Sequence, residues 1–544
     1  MRGKGGTFKG SRAKWALGSF ALALALPVVA QQAPESLLPP GFGDAPEAPT
    51  PAPPPARPAP GTPAASSPPT FTPILPPDPS LLAEADNATA EAEEELTPEE
   101  LAAEKAKYDL PDTARRSLAR IGPLTPRTRG LEPDAFGNQS GKYLATLMKE
   151  THAPILSRWA SILLRRALLS ATDTPRDIDG ADWAAERAWL LLRMGEADSA
   201  RIMVQSVDAD RYTPRLYAIA MQTYLASADP AGLCPLSEGA LRVSKEPGWD
   251  MTRAMCAALS GDQGTASGAL NQAQRRGVVR GIDYRLAEKV VGTGFNARRS
   301  VKIEWDTVSQ LTAWPFGLAT ALNVEIPDAL FGTVGPHVRA WEARAPALSA
   351  VRRRPGVDVA ARLGVFSSTA LVGFYGQMST EGDAPAVLAG YDRNAARWAR
   401  ALGQIDGDGA AQFWGLLAVG APSPVVDINS GRISTYIDEE GPEKGRMLIA
   451  ALAGLARLSA DDAASLAQDN GVALAANSRW ARAIGAAAQR GEKATVALLA
   501  AVGMQGRNWR RLPPAHLYHV VAALHRVGLD PEARMIAAEA ISRT

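Results

Sequence analysis

Gly195 and Gly261 each interrupt a helical apolar pattern, stand 66 residues apart, and are each followed five residues later by an alanine, Ala200 and Ala266. Near the midpoint Ala228-Asp229-Pro230 makes a third break. The stretch from Asp182 to Arg276 therefore reads as a repeat of about 33 residues built from paired helices. Glycine at such a break ends the first helix with a left-handed residue, and small residues beside it let the two helices of a pair approach closely. This spacing confines the chain to an α-helical array, and arrays of this kind display a surface rather than perform chemistry.

Composition agrees. A chain of 544 residues exceeds what one core organises, so several units or an extended array are expected. Aromatics make up 6% against an apolar total of 46%, so Ala and Leu carry the burial, which favours packed helices over sheets. With 58 Lys and Arg against 57 Asp and Glu there is no overall basic field for a phosphate backbone, and nucleic acid is not an expected partner.

The N-terminus reads as an address. Arg2, Lys4, Lys9, Arg12 and Lys14 precede an apolar run from Trp15 to Leu26, and Val28-Val29-Ala30 supplies small residues for cleavage. Residues 1–30 are expected to be a signal peptide cut after Ala30, which places the protein in the periplasm. The alternative is an uncleaved anchor, but a run of about a dozen residues falls short of the roughly 20 that span a bilayer. No later stretch is expected to span a membrane; the most apolar, Leu363 to Met378, is interrupted by Ser367, Ser368, Thr369 and Gly373 and reads as a buried helix.

Residues 31–80 hold 18 of the 42 prolines and are expected to form a disordered, polyproline-like tether. Residues 81–141 follow as an acidic helix and connecting loops. Thr97-Pro98-Glu99-Glu100 marks a helix start at Pro98. The run Glu91, Glu93, Glu94, Glu95 lacks the alternating ladder and central glycine of a calcium loop, so it reads as a solvated face.

From about Lys142 the pattern resembles tetratricopeptide-type helix-turn-helix repeats. A small residue lies seven before each glycine (Ala188, Ala254), alanine five after it (Ala200, Ala266), and a small or β-branched residue twelve after it (Val207, Ala273). Gly528 repeats the frame with Val521, Ala533 and Ala540. Arg187 and Arg253 stand where that family buries a large apolar residue, and the Gly491 turn carries Ile484 and Val496 at the small positions. The resemblance thus implies an all-α, irregular α-solenoid over residues 142–299 and again over 447–544. An Ala-rich bundle with coincidental turns is the alternative.

Cys234 and Cys256 fall on helices expected near residues 231–243 and 249–259, whose antiparallel packing brings the sulfurs to similar heights. In an exported protein this suggests a disulfide, the alternative being two buried thiols. The middle, residues 300–421, is broken by Trp314-Pro315, Ile326-Pro327, Gly335-Pro336 and Arg354-Pro355, so its helices should be short and irregular. Arg352-Arg353-Arg354 could hold an anionic ligand or polymer, but three basic residues before a proline read as a solvated loop. The segment Pro422 to Arg446 reads as a long loop and a candidate contact site.

No catalytic, cofactor-binding or metal-binding residues are assigned. There is no phosphate loop, no His-Glu-x-x-His helix and no paired cysteines at metal spacing. His516 and His519 share a helical face while His525 points elsewhere. Val502-Gly503-Met504-Gln505 resembles a segment of lytic transglycosylases, but Glu492, followed by Lys493, does not occupy the place of that family's catalytic acid. The expected function is an exported, non-enzymatic helical-repeat scaffold that binds a protein or polymer of the bacterial envelope. The alternative is a cell-wall or polysaccharide-processing enzyme whose carboxylates are not recognisable.

Overall fold

The structure, a computed structural model, describes residues 111–152, 154–277, 280–295, 301–367, 410–475 and 478–544, with 97, 99–100, 103, 369–371 and 373–374 besides. The expected signal peptide, the proline-rich tether and the glutamate run lie outside these residues. Of the helix expected from Pro98, residues 99, 100 and 103 are helical. The chain divides between Thr97 and Pro98, and the architecture below is that of the second unit.

Among its described residues that unit is all-α apart from one small antiparallel strand pair. Strand β1 (Arg120–Ile121) precedes helices α1 (Gly141–Glu150) and α2 (Arg158–Leu169), and its partner β2 (Thr172–Asp173) leads into α3 (Gly180–Arg193). Ser157 starts α2, its hydroxyl accepting from the Ala160 amide. The cap of α3 is Asp179, whose side chain accepts from the Ala181 amide. A carboxylate just outside the helix reaches the orphan amides, whereas Asp182 lies inside the first turn and instead accepts from the Thr213 hydroxyl at 2.6 Å.

Then follow α4 (Ala197–Val204), α5 (Pro214–Ala226), α6 (Cys234–Val243), α7 (Pro247–Leu259), α8 (Gln263–Arg276) and α9 (Gly281–Gly294). The three breaks read from the sequence are one kind of turn. Gly195, Ala228 and Gly261 have φ of +89°, +52° and +88°. The amide after each donates five residues back, Glu196 to Leu191, Asp229 to Tyr224 and Asp262 to Ala257, at 2.9, 2.9 and 2.8 Å. Ala188, Ala200, Ala254 and Ala266 are fully buried, so close approach is what the small residues permit. Helix packs on following helix in this way from α3 to α9. The sulfurs of Cys234, at the start of α6, and Cys256, on α7, lie at bonding distance, 2.04 Å, with Cα atoms 5.5 Å apart.

The middle turns back along this array. Helices α10 (Ala313–Ala321), α11 (Asp328–Phe331), α12 (Pro336–Trp341) and α13 (Ala350–Leu363) come next, three of them short as expected. Helix α10 packs on α5, α12 on α3 and α13 on α2, so the order of contact reverses. Gly317 allows the first of these, because a Cβ there would sit 2.5 Å from the Leu225 carbonyl oxygen. The Trp341 indole donates to the Leu192 carbonyl at 3.1 Å and fixes the second. Two expectations fail here. Pro355 lies inside α13 rather than at its boundary, and Arg352 to Arg354 are helical, not a loop; the helix continues through the proline and forgoes the one ladder bond that its missing amide would donate. The helix expected from Leu363 to Met378 starts later: α13 ends at Leu363, Gly364 takes φ +83°, residues 369–371 and 373–374 are helical with Phe374 buried, and 368, 372 and 375–378 lie outside the described residues.

Helices α14 (Ala410–Gly420), α15 (Ser430–Glu440), α16 (Pro442–Gly454), α17 (Ala460–Asp469), α18 (Arg479–Gln489), α19 (Lys493–Gly503), α20 (Pro514–Arg526) and α21 (Asp530–Arg543) form the C-terminal block. The segment Pro422 to Arg446, expected as a loop, is therefore largely α15 and the start of α16. Gly441-Pro442, which suggested a loop, is a tight joint between them, with Gly441 at φ +91°. The Gly491 turn, at φ +74° with the Glu492 amide donating to Ala487 at 3.0 Å, has the common geometry despite Ile484 and Val496, both fully buried. Gly528, at φ +76°, has it too, above buried Ala533.

The block seats on the first helices: α19 packs on α1 and α2, and α21 on α2. Backbone bonds seal the seam, from Ala494 to the Ala135 carbonyl at 2.9 Å and from Leu156 to the Met504 carbonyl at 2.8 Å. Helix α2 is thus the hub, touching α3, α13, α19 and α21.

Candidate functional site

The turn at Gly195 is also the floor of a cavity. Gly195 ends α3, α4 begins at once, and the returning segment around α12 and Val365 closes over them, leaving a space of about 380 Å³. Its apolar wall includes Leu169, Ile202, Trp341 and Val365, and Ile202 stays half exposed at 48%.

Its polar groups are tied to one another. Glu196, 6% exposed, accepts from Arg165 of α2 at 2.6 Å and from the Ser199 hydroxyl at 3.0 Å. Burial pushes the Glu196 carboxyl above its ordinary range, and the Arg165 charge opposes this. Arg165 also donates to the Gly364 and Val365 carbonyls at 3.3 and 3.4 Å. At the rim Arg344 pairs with Asp198 at 3.4 Å and lies over the Phe366 ring, 5.2 Å from its centroid. The arrangement ties the returning segment to the first helix pair through ion pairs and leaves a half-open space above them.

Among the turn residues singled out in the sequence, Gly195 lines this cavity, while Ala200, Gly261, Ala266, Gly528 and Ala533 do not. Arg165, Glu196, Trp341 and Arg344 were not singled out. A signal for one of them exists: an acid follows the left-handed residue at 195, 228, 261 and 491. Asp229 and Asp262 turn inward to cap the next helix, accepting from Gly232 and Thr265 amides at 3.0 and 2.9 Å. The two glutamates make no such cap bond and, as Asp229 also does with Arg201 at 2.5 Å, pair with an arginine. Glu196 goes to Arg165. Glu492 takes a two-pronged bond from Arg490 at 2.6 and 3.0 Å and a third from Gln139 at 2.9 Å. With 4% exposure Glu492 is a buried strut rather than an acid facing a cleft.

Arg187 is fully buried. Its guanidinium donates to the Ile121 carbonyl at 3.1 and 3.0 Å, to the Thr172 hydroxyl at 3.0 Å and to the Ser170 carbonyl at 3.3 Å, fastening the β1–β2 pair to α3. Burial without a carboxylate lowers its pKa to about 9. The histidines divide as their spacing predicts: His516 and His519 both approach Trp480, with ring centroids 4.6 and 6.2 Å away, while His525 meets Asp530 at 2.5 Å.

Comparison of the chain with known protein families, with curated proteins and with solved structures finds no match.

Proposed function

We propose that the protein is an exported, non-enzymatic scaffold of a bacterial envelope. Its helix pairs, similar in frame to tetratricopeptide units, form an irregular α-solenoid that presents a surface to a protein or an envelope polymer. The observation that carries this reading is the recurrence of one left-handed turn at 195, 228 and 261, which stacks helix on helix and spreads surface instead of converging side chains. The cysteine pair at bonding distance suits an oxidising compartment. A tether with 18 prolines would give the array reach from its point of attachment.

The test is fractionation followed by crosslinking. Cells expressing the full chain should release it with the periplasm, as a species beginning at Gln31. Affinity capture from crosslinked envelopes should then enrich one envelope component, with and without residues 31–80. Retention in the cytoplasm would sink the export half. Enrichment lost with the tether would move recognition away from the helical array.

A further inference from the structure

The C-terminal block carries a charge imbalance that the whole chain conceals. Between residues 471 and 529 stand eight lysines and arginines and one acid, Glu492, in a protein of net charge +1. That acid is held by Arg490, Lys493 pairs with Glu132 at 3.0 Å, and Arg510 donates to the Thr544 carbonyl at 3.0 Å. Arg507 and Arg511 are exposed, and their guanidinium groups make no ion pair or hydrogen bond among the described residues. Both line one groove of about 480 Å³.

The groove has a fixed frame. Helix α19 ends at Gly503, the chain turns at Gly506 with φ +155°, and a single helical turn, Trp509–Arg511, leads to α20. Trp509, 3% exposed, plugs this turn into the core. Gln505 is bonded at both ends of its amide, accepting from His152 at 2.7 Å and donating to Val502 at 3.2 Å. The Asn508 oxygen accepts from the Arg510 amide at 3.0 Å, and its amide nitrogen has no partner among the described residues. Leu156, Leu512 and Pro513 give an apolar floor. The pKa of His516, which also lines the groove, is lowered chiefly by burial, so at neutral pH the positive charge there is that of the two arginines.

We infer that this groove binds a phosphate-type dianion, free or carried on a sugar. Two guanidinium forks on a rigid rim call for two negative charges and at least three acceptor oxygens. A phosphate monoester supplies both; a carboxylate has one charge and two oxygens. The inference stands apart from export and from the solenoid reading, since it needs only this corner of the fold.

The test is calorimetric titration of the full chain in low-salt, phosphate-free buffer with inorganic phosphate, glucose 1-phosphate and acetate. Both phosphates should bind, and acetate should bind at least about tenfold more weakly. Arg507→Gln and Arg511→Gln should each weaken phosphate binding by about tenfold. Arg362→Gln, which removes an exposed charge outside the groove, should change nothing. Tighter binding of the sugar phosphate would identify a carried group and equal binding the free anion, and both support the inference. No binding of either phosphate at millimolar concentration would overturn it, as would acetate matching phosphate or Arg362→Gln matching the groove variants. If the glutamine variants melt below the parent, Arg507→Lys and Arg511→Lys replace them; unchanged affinity in those would equally overturn it.

Discussion

Gly195 has two reasons to be glycine, its φ of +89° and a space where a Cβ would lie 3.1 Å from the Ala340 methyl. Gly261 has only the first, since a Cβ there meets nothing. Gly261→Ala should therefore cost about 1–2 kcal/mol, and Gly195→Ala roughly 1 kcal/mol more from overpacking, both read by urea denaturation. The reverse change separates strain from packing. Ala456, exposed at φ +52°, should gain about 1 kcal/mol on replacement by glycine. Ala228, at the same φ, packs its methyl with Ala345 and Leu348, and Ala228→Gly should be nearly neutral because the lost contact offsets the relieved strain. Glu342, 8% exposed, has its carboxyl pushed up by burial to about 7, against the pull of Arg339 at 3.1 Å. An acid with a raised folded pKa favours the folded state while protonated. Stability should thus fall as pH rises from about 4.5 and level off above about 7, by about 3 kcal/mol in all. Denaturation at pH 5 and pH 8 should show the wild type losing most of this relative to Glu342→Gln.

Helices were more legible than their joints. The breaks at Gly195, Gly261 and Gly528 could be read because left-handed backbone strongly selects glycine, and the buried alanines beside them because close helices exclude larger side chains. The same logic undervalued Gly491, where Ile484 and Val496 fit because helix spacing adjusts to the residues between. Gly441-Pro442 suggests a loop in sequence because the residues that break a helix also join two. The cavity was the least legible, since Arg165, Glu196 and Arg344 come from elements that only the return of the middle segment brings together. Within the array, Cys234 and Cys256 join α6 to α7 across 22 residues. Reduction should lower stability by about 3 kcal/mol, seen as a lower melting temperature in dithiothreitol and reproduced by replacing both cysteines with alanine.

In the whole unit, α2 is placed by helices that follow it at great distance. Glu539 of α21 accepts hydrogen bonds from the Ser157 hydroxyl and the Arg158 amide, supplementing the cap of α2 from 382 residues away. Ending the chain at residue 529 would remove this support and uncover the buried face of α2. Such a chain should fail to melt cooperatively in calorimetry, even though the helices from α3 to α9 are intact in sequence. The seating of the last helices on the first has a consequence for how the protein is made. A chain emerges N-terminus first, so α1 and α2 wait, incompletely covered, until α19 and α21, more than 300 residues later, have been synthesised. Maturation of this fold is then a long-range closure, slow by the standards of helical proteins, and its nascent form is a natural client for a chaperone that shields the hub until α19 and α21 arrive.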